Sequence, residues 1–423
     1  IMLTCVQVLH CIYIKTTELR KCYTRLVSLT AMQSGLHCIA LINTHKNKVF
    51  MSVNKNFSLK NILYYYINLM IDIVVGLQYG DEGKGKVVNY LASEHNYDYC
   101  IRYNGGANAG HTIYKNGTKI VTHQIPTGIV YGIPCIIGDN CYLDIERLQR
   151  EIYELNNIGI DIKNKLFISS KCNVITIMHK IIDSKDKVIG TTKSGIGPCA
   201  VDKYNRCGTH VSKELLEKSN LFLPIVNIDE LMINFMQANK KSPNILIEGA
   251  QGYGLDINHG DYPYVTSSHC ISTDCFNIGI PIYQYMTKMD IPCNIYGVAK
   301  IYETYVGSKK FQPDNNSTLE KIQFLGNEYG ATTARKRQCN LLNLSYLIKS
   351  IWVNQVDKVI INKCDIITDE SLDNKGLSLY HNKNKIDFNT FTEMKKYITN
   401  ELTSNIFWLK EDNIRWSYSP NTI

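Results

Sequence analysis

The sequence has too little glycine, proline and cysteine for several classes of protein. Its 423 residues contain only 27 glycines and 10 prolines, which excludes a collagen-like repeat and a low-complexity disordered chain. Fifteen cysteines are too few for a disulfide scaffold, and no CxxC pair provides the spacing of a zinc site. We therefore expect reduced thiols in a cytoplasmic protein.

Long hydrophobic runs and a strong excess of one charge are also missing. An apolar run over 62–77 contains Asn68 and Asp72 and is too short to span a bilayer comfortably, so we predict no membrane partner. Lysine and arginine number 46 and the acids 38, a net charge of +8. This favours anionic ligands but is too small and dispersed to indicate nucleic acid, and small phosphorylated molecules explain it as well.

From residue 71 onward the sequence has the alternation of an α/β protein. Short apolar segments alternate with segments of helical spacing, which predicts a large, mostly parallel central sheet flanked by helices. The predicted strands include 71–77, 135–138, 166–169, 244–247 and 358–361, and the predicted helices include 87–91, 145–155 and 228–236. We predict a single large domain over 71–423.

Residues 1–70 differ from the rest, because their hydrophobic residues show no sustained period of a strand or a helix. We interpret them as an N-terminal extension of uncertain order. A transit peptide, a disordered extension and a wrongly assigned start are the three alternatives.

A glycine-rich segment follows the first predicted strand and is here called the phosphate loop: Gly80-Asp81-Glu82-Gly83-Lys84-Gly85-Lys86. Its glycines permit a tight turn whose N–H groups face a phosphate, at the positive end of the next helix. The spacing is that of a P-loop, but Val87 stands where that motif has the hydroxyl that binds Mg²⁺. Asp81 instead offers a hard oxygen ligand, which would repel phosphates unless a metal or a reacting proton uses it. The alternative is a simple polar turn.

A second glycine-rich segment, 102–112, places His111 between Gly110 and Thr112. Glycine at this density permits close approach of the backbone to a ligand. His111 is therefore a candidate proton donor or phosphate partner, while a histidine satisfied by its surroundings is the alternative.

The guanine motif, Asn362-Lys363-Cys364-Asp365, follows the predicted strand that ends at Ile361. In the pattern [Asn/Thr]-Lys-x-Asp the carboxylate accepts from two N–H groups of guanine, and the lysine stem covers the ring. Adenine lacks that pair of donors, so the pattern selects GTP over ATP. A solvated polar turn explains four residues alone, but the combination with the phosphate loop predicts GTP.

Several motifs, in one order over roughly residues 71–423, resemble those of the adenylosuccinate synthetase family. They are 78–86, 108–112, 190–198, 248–252, 262–268, 330–337 and the guanine motif. The resemblance implies a homodimer that joins IMP to L-aspartate with hydrolysis of GTP, through 6-phosphoryl-IMP, in the first committed step of AMP synthesis. It also implies Mg²⁺ as the cofactor.

The resemblance further implies roles for single residues. Asp81 is the expected base that removes the N1 proton of IMP and, with the carbonyl of Gly110, the expected metal ligand. His111 is the expected acid toward GDP, and Lys84 is expected to stabilise the transferring phosphoryl group. The expected GTP ligands are Gly80, Glu82, Gly83, Gly85, Lys86, Gly110, Thr112, Arg337, Lys363 and Asp365. The expected IMP ligands are Asn108, Thr192, Arg206, Gln251, Thr266 and Arg335, with Arg206 donated across the dimer interface. The expected aspartate ligands are Thr332, Thr333 and Arg335.

The sequence departs from the family pattern mainly on the aspartate side. Ser194 and Tyr305 stand where arginine is usual, and Ala334 replaces a glycine of the aspartate loop. Two alternatives to an active synthetase follow. One is a GTP-binding regulatory protein, against which Val87 argues; the other is a synthetase-derived nucleotide binder that has lost the use of aspartate.

Overall fold

The computed structural model describes residues 28–34, 37–43, 48–54, 70–239, 241–278, 280, 291–330, 335–368, 377–420 and 423. The chain divides into two compact units, 1–68 and 69–423, and each is described by itself. In the first unit, three strands pair antiparallel in chain order. They are β1 (Ser28–Ser34), β2 (His37–Asn43) and β3 (Lys48–Asn54). The sequence predicts no strand there, and the nature of this extension stays a prediction.

Among the described residues, the other strands and the helices lie in the second unit. Its strands are β4 (Ile71–Gly76), β5 (Tyr99–Gly106), β6 (His111–Lys115), β7 (Thr118–Thr122), β8 (Cys135–Leu143), β9 (Leu166–Ser169), β10 (Asn173–Val174), β11 (Ile225–Val226), β12 (Ile245–Glu248), β13 (Cys293–Lys300), β14 (Tyr302–Tyr305), β15 (Gln338–Asn343), β16 (Lys358–Asn362), β17 (Ser378–His381), β18 (Asn384–Asp387) and β19 (Ile414–Trp416). Its helices are α1 (Lys84–Glu94), α2 (Ile145–Asn157), α3 (Ile177–Ser184), α4 (Ile196–Tyr204), α5 (Lys213–Lys218), α6 (Ile228–Asn239), α7 (Ser317–Leu325), α8 (Leu344–Asn354) and α9 (Phe391–Asn405).

A ten-stranded sheet forms the centre of this unit, and the predicted large, mostly parallel sheet is confirmed. Its order is β11-β9-β8-β5-β12-β4-β13-β16-β19, with β10 paired to β8, and each of its registered pairs is parallel. All six residues of β4 are buried, as expected for a central strand with both faces covered. Two large apolar clusters pack against the sheet.

The order of the strands determines where a ligand is expected. β5, β12, β4, β13 and β16 are consecutive neighbours, so the segments that follow them meet at one edge. Those segments include the phosphate loop, residues 107–112, residues 249–252 and the guanine motif. The carboxyl edge of a parallel sheet is where open α/β folds bind their ligands.

Smaller elements complete the unit. β14, β15, β17 and β18 form a four-stranded sheet, and β6 and β7 form a hairpin that begins at His111. Within the described residues, no helix is both long and apolar enough to cross a membrane.

Candidate active site

The phosphate loop connects β4 to α1 and is shaped from within by Glu82. Gly80, Asp81 and Gly83 have φ values of 86°, 61° and 91°, the left-handed region that glycine adopts most easily. The carboxylate of Glu82 is fully buried and accepts the backbone N–H groups of Gln78 at 3.2 Å and Gly80 at 2.8 Å. The side chain of Glu82 therefore stabilises the conformation of the phosphate loop. The backbone of the loop remains available to a ligand.

Lys84, the first residue of α1, is buried. Its Nζ donates to Oε2 of Glu82 at 2.7 Å and to the carbonyl oxygen of Gln251. Gly85 follows, and a Cβ there would lie 2.8 Å from the Cβ of His111. Glycine at this position lets the β6 strand bring His111 against the start of α1.

Asp81 belongs to a chain of ion pairs that runs from the loop into the protein. The Nε of Arg337 donates to Asp81 at 2.7 Å, and another guanidinium nitrogen donates to Glu328 at 2.6 Å. Glu328 also accepts from Lys300 at 2.9 Å and from the hydroxyl of Tyr302 at 2.6 Å. Burial raises the pKa of Glu328, but Lys300 and Arg337 outweigh it and hold the pKa at about 2. Asp81 is the member of this chain with the most exposed side chain.

His111 is buried against a carboxylate that orients its ring. Its Nδ1 contacts Glu248, which also accepts from Arg102 at 2.8 Å, from the N–H of Thr127 at 2.7 Å and from the Thr127 hydroxyl at 2.9 Å. Burial, together with Arg102, lowers the pKa of His111 to about 4 although Glu248 opposes the shift. The imidazole is then neutral at neutral pH, with Nδ1–H donated to Glu248. Nε2 is the nitrogen left to face a ligand.

The guanine motif lies where β16 ends. Asp365 is exposed, while Lys363 is half-buried with φ 65° and donates to the carbonyl oxygen of Gly326 at 2.9 Å. The N–H of Cys364 donates to the carbonyl of Ser417 at 3.1 Å, which ties the motif to the segment after β19. The Asp365 carboxylate is thus exposed, and its contact with a guanine base stays a prediction.

The residues expected to bind IMP come from separate loops. Asn108 accepts the N–H of Gly106 at 3.1 Å, and Thr192 shares a 2.9 Å hydrogen bond with Ser194. Gln251 has φ 57°, and its Oε1 is buried without a hydrogen-bond partner among the described residues. Such an orphaned acceptor is rare in proteins, and a ligand donor would satisfy it.

Arg335, Thr266 and Arg206 are three further residues expected to bind IMP. Arg335 donates to the carbonyl oxygens of Gly190 at 3.0 Å and Thr191 at 3.3 Å, so it contacts the loop that leads to Thr192. The N–H of Thr266 donates to Leu255 at 2.8 Å. Arg206 is exposed just after α4.

Comparison with known proteins identifies the family. Residues 73–226 and 214–374 match the family model described as adenylosuccinate synthetase. The chain belongs to the adenylosuccinate synthetase family. A synthetase from Chlorobium chlorochromatii is 37% identical, with 74% of this chain and 79% of the relative covered. One from Thermodesulfovibrio yellowstonii is 36% identical, with coverage of 70% and 77%. The structure of the fully ligated synthetase from Plasmodium falciparum matches with a TM-score of 0.66 and 26% identity over 84% of this chain and 98% of that one.

Membership establishes the type of enzyme. The function is GTP-dependent ligation of IMP and L-aspartate to adenylosuccinate, in purine biosynthesis. The family assignment favours this over a GTP-binding regulatory protein.

This adenylosuccinate synthetase also has buried charged residues near the site for which the sequence analysis predicts no role. Glu248 closes the apolar strand β12, Arg102 lies within β5, and the two are direct neighbours in the strand register. A charged residue inside an apolar parallel strand is the signal that could have identified both, because burial of a lone charge is costly. Lys300, which ends the parallel strand β13, carries the same signal, whereas Glu328 lies outside any strand and does not.

Two of the residues that depart from the family pattern, Tyr305 and Ser194, have contacts within the protein. Tyr305 is buried and packs against Tyr79 and Phe311, with ring centroids 6.0 and 5.5 Å away. Ser194 bonds to Thr192. Thr332, Thr333 and Ala334 lie outside the described residues, so the aspartate site predicted there stays a prediction.

Proposed function

We propose that Asp81 is the base that starts the reaction. It removes the N1 proton of IMP while the 6-oxygen attacks the γ-phosphorus of GTP and GDP leaves. The amine of aspartate then displaces phosphate from C6, which gives adenylosuccinate. The observation that supports the proposal is a partly exposed carboxylate in a loop with P-loop spacing, held by Arg337 at 2.7 Å. Oxygen at C6 is a poor leaving group until it is phosphorylated, so a base in this loop has a chemical purpose.

The other residues of the site position the reacting groups and stabilise the negative charge that develops on them. Lys84 and the N–H groups at the start of α1 are suited to the negative charge that spreads over a transferring phosphoryl group. His111 faces the ligand with Nε2, and the negative charge of a bound nucleotide favours its protonated form. It then donates a proton toward the GDP leaving group. Glu248 keeps the imidazole in the required orientation.

The residues present also suit Mg²⁺. Among the described residues, no group of three or more His, Cys, Asp and Glu side chains is arranged to hold a metal. Mg²⁺ in nucleotide enzymes is usually bound by one or two protein oxygens, with phosphates and water as the other ligands. Asp81 and the carbonyl of Gly110 offer such hard oxygens, so we propose that they hold it. When bound, the ion neutralises negative charge on the phosphates.

The function is tested with purified protein, GTP, Mg²⁺, IMP and L-aspartate. We expect a change of absorbance as IMP becomes adenylosuccinate, with dependence on all three substrates. Binding of GTP without aspartate-dependent turnover would instead support a nucleotide binder that has lost the use of aspartate.

Asp365 should determine the choice of base. The change Asp365→Asn replaces one acceptor oxygen by a donor, which faces the N–H groups of guanine unfavourably. We expect the KM for GTP to rise about 100-fold, because sites built for hydrogen bonds discriminate by this much or more. The KM values for IMP and aspartate should change little. Steady-state kinetics with each substrate varied checks this, and a uniform rise in all three KM values contradicts it.

We propose a homodimer in which Arg206 reaches the partner's IMP site, in a cytoplasmic enzyme. The support is an apolar face next to Arg206, made of exposed side chains on α3 and α4. They are Ile177, Met178, Ile181, Ile182, Val201 and Tyr204. The two helices contact each other, and exposed apolar side chains on neighbouring helices favour a protein–protein contact.

Mixed dimers test the shared site. Arg206→Leu and Asp81→Asn proteins should each be nearly inactive, and a mixture should regain activity because one of the two sites in a mixed dimer is intact. Random pairing predicts about a quarter of the wild-type activity. Assays after mixing and exchange of subunits measure it; no recovery in a mixture shown to contain mixed dimers would contradict the arrangement.

A further inference from the structure

The phosphate loop and the guanine motif are joined by a small set of contacts centred on Lys86 and Asn362. The Nζ of Lys86, in the first turn of α1, donates to Oδ1 of Asn362 at 3.0 Å, to the carbonyl of Ser419 at 2.8 Å and to the hydroxyl of Ser417. The Nδ2 of Asn362 donates to the carbonyl oxygen of Glu82 at 2.7 Å. Asn362 is therefore bonded to the phosphate loop through both ends of its amide.

Asn362 and Asp365, the first and last residues of the guanine motif, differ in exposure and in their partners. Asn362 is 4% exposed, and both polar atoms of its side chain already have partners inside the protein. Asp365, by contrast, is exposed. A Cβ at Gly83 would lie 2.9 Å from Nδ2 of Asn362, so glycine in the loop permits this close contact. The motif thus faces the base through Asp365 and the phosphate loop through Asn362.

The segment after β19 completes the connection. The N–H of Ser417 donates to the carbonyl of Ile361 at 2.9 Å, and Cys364 donates back to Ser417 at 3.1 Å. Ser417 therefore extends the hydrogen bonding between β19 and β16 along the guanine motif. Through Lys86, the start of α1 is tied to the end of β16 and to residues 417–419 at once.

The chemistry of Lys86 suits this bridging role. Its three hydrogen-bond partners match the three N–H groups of an ammonium, and all three are uncharged oxygens. Burial lowers the pKa of Lys86 to about 8, while the nearby Asp365 opposes that shift. A lysine engaged in this way has no free N–H for a phosphate without breaking the bridge.

We propose that Lys86 and Asn362 are positioning residues that fix the phosphate loop at the correct distance from the guanine motif. The proposal rests on the proposed binding of GTP at these two segments. A ligand that binds the phosphate loop and the guanine motif at once gains affinity when the protein already holds the two segments at the right distance. A ligand that binds only one of the two segments gains no affinity from that fixed distance.

Dissociation constants for three probes test this: GTP, guanosine for the base end, and inorganic tripolyphosphate for the phosphate end. Lys86→Met removes the three donors, and Asn362→Asp keeps an acceptor for Lys86 but removes the donor to Glu82. We expect each change to weaken GTP about 10-fold, the value of one or two lost hydrogen bonds. Guanosine and tripolyphosphate should change less than about twofold, since each engages one end only.

Lys395→Met is the matched control. Its Nζ donates to the hydroxyl of Tyr418 at 2.8 Å, so it contacts the same C-terminal segment but not the phosphate loop, and GTP affinity should stay unchanged. Ser417→Ala is a milder change that removes one acceptor of Lys86, and it should weaken GTP about threefold. It keeps the test available if Lys86→Met lowers the midpoint of thermal unfolding strongly.

The outcomes are distinct. Equal weakening of tripolyphosphate and GTP would show that Lys86 acts on phosphates directly, and would overturn the proposal, as would unchanged GTP affinity. The double variant Lys86→Met/Asn362→Asp should lose little more than either single one, because both break one bridge, whereas full additivity would also overturn it. Wild-type protein that neither binds nor uses GTP would contradict the proposed function instead.

Discussion

The change Asp81→Asn should reduce kcat by about 10³-fold, the usual contribution of a positioned general base. Asparagine keeps the size of the side chain and one oxygen but cannot accept the N1 proton of IMP. The fold should survive, because Arg337 keeps its 2.6 Å contact with Glu328 when its partner in the loop loses its charge. Affinity for GTP should fall far less than kcat, because the remaining amide oxygen can still serve as the Mg²⁺ ligand proposed for Asp81. Steady-state kinetics and direct nucleotide binding measure the two quantities separately.

A matched control is Asp314→Asn. Asp314 also pairs with a cation, Lys310, but on the exposed surface, so kcat should stay at the wild-type value. Residual activity of Asp81→Asn above about a tenth of wild type would contradict the role of general base. Loss of GTP binding in step with kcat would show that Asp81 serves the nucleotide and not the proton.

Much of the fold was predictable because central parallel strands are apolar on both faces. The run 71–77 corresponds to β4, and 358–361 corresponds to β16 with one further residue. Helix α1 begins at Lys84, ahead of the predicted 87, with the left-handed Gly83 as its N-cap. Local patterns identify the elements well and their last residues less well, since β8 runs to Leu143 beyond the predicted 138 and α6 to Asn239 beyond the predicted 236.

The partners of the site residues were not predictable, because they depend on the order of the strands. β12 inserts between β4 and β5, and this places Glu248 beside Arg102, 146 positions away in the sequence. Nothing in the period of an apolar run specifies which strand becomes its neighbour. The same holds for Arg337, which meets Asp81 across 256 positions.

His111→Asn should have the second large effect, a loss of about 10²- to 10⁴-fold in kcat. The amide nitrogen of asparagine occupies the place of Nδ1 and still donates to Glu248, so the buried carboxylate keeps its partner. What disappears is Nε2, the nitrogen left to face the leaving group. The KM for GTP should rise far less than kcat falls, which steady-state kinetics will show.

Two further variants separate this acid role from a merely structural one. His381→Asn changes another buried histidine, whose Nδ1 pairs with Tyr397 at 2.8 Å, and kcat should stay as in wild type. Glu248→Gln keeps the bulk beside His111 but removes the charge that orients the ring and balances Arg102. We expect a smaller fall in kcat than for His111→Asn and no added loss in the double variant, because Glu248 acts on the reaction only through His111. A double variant that multiplies the two losses would mean that Glu248 contributes to catalysis by another route.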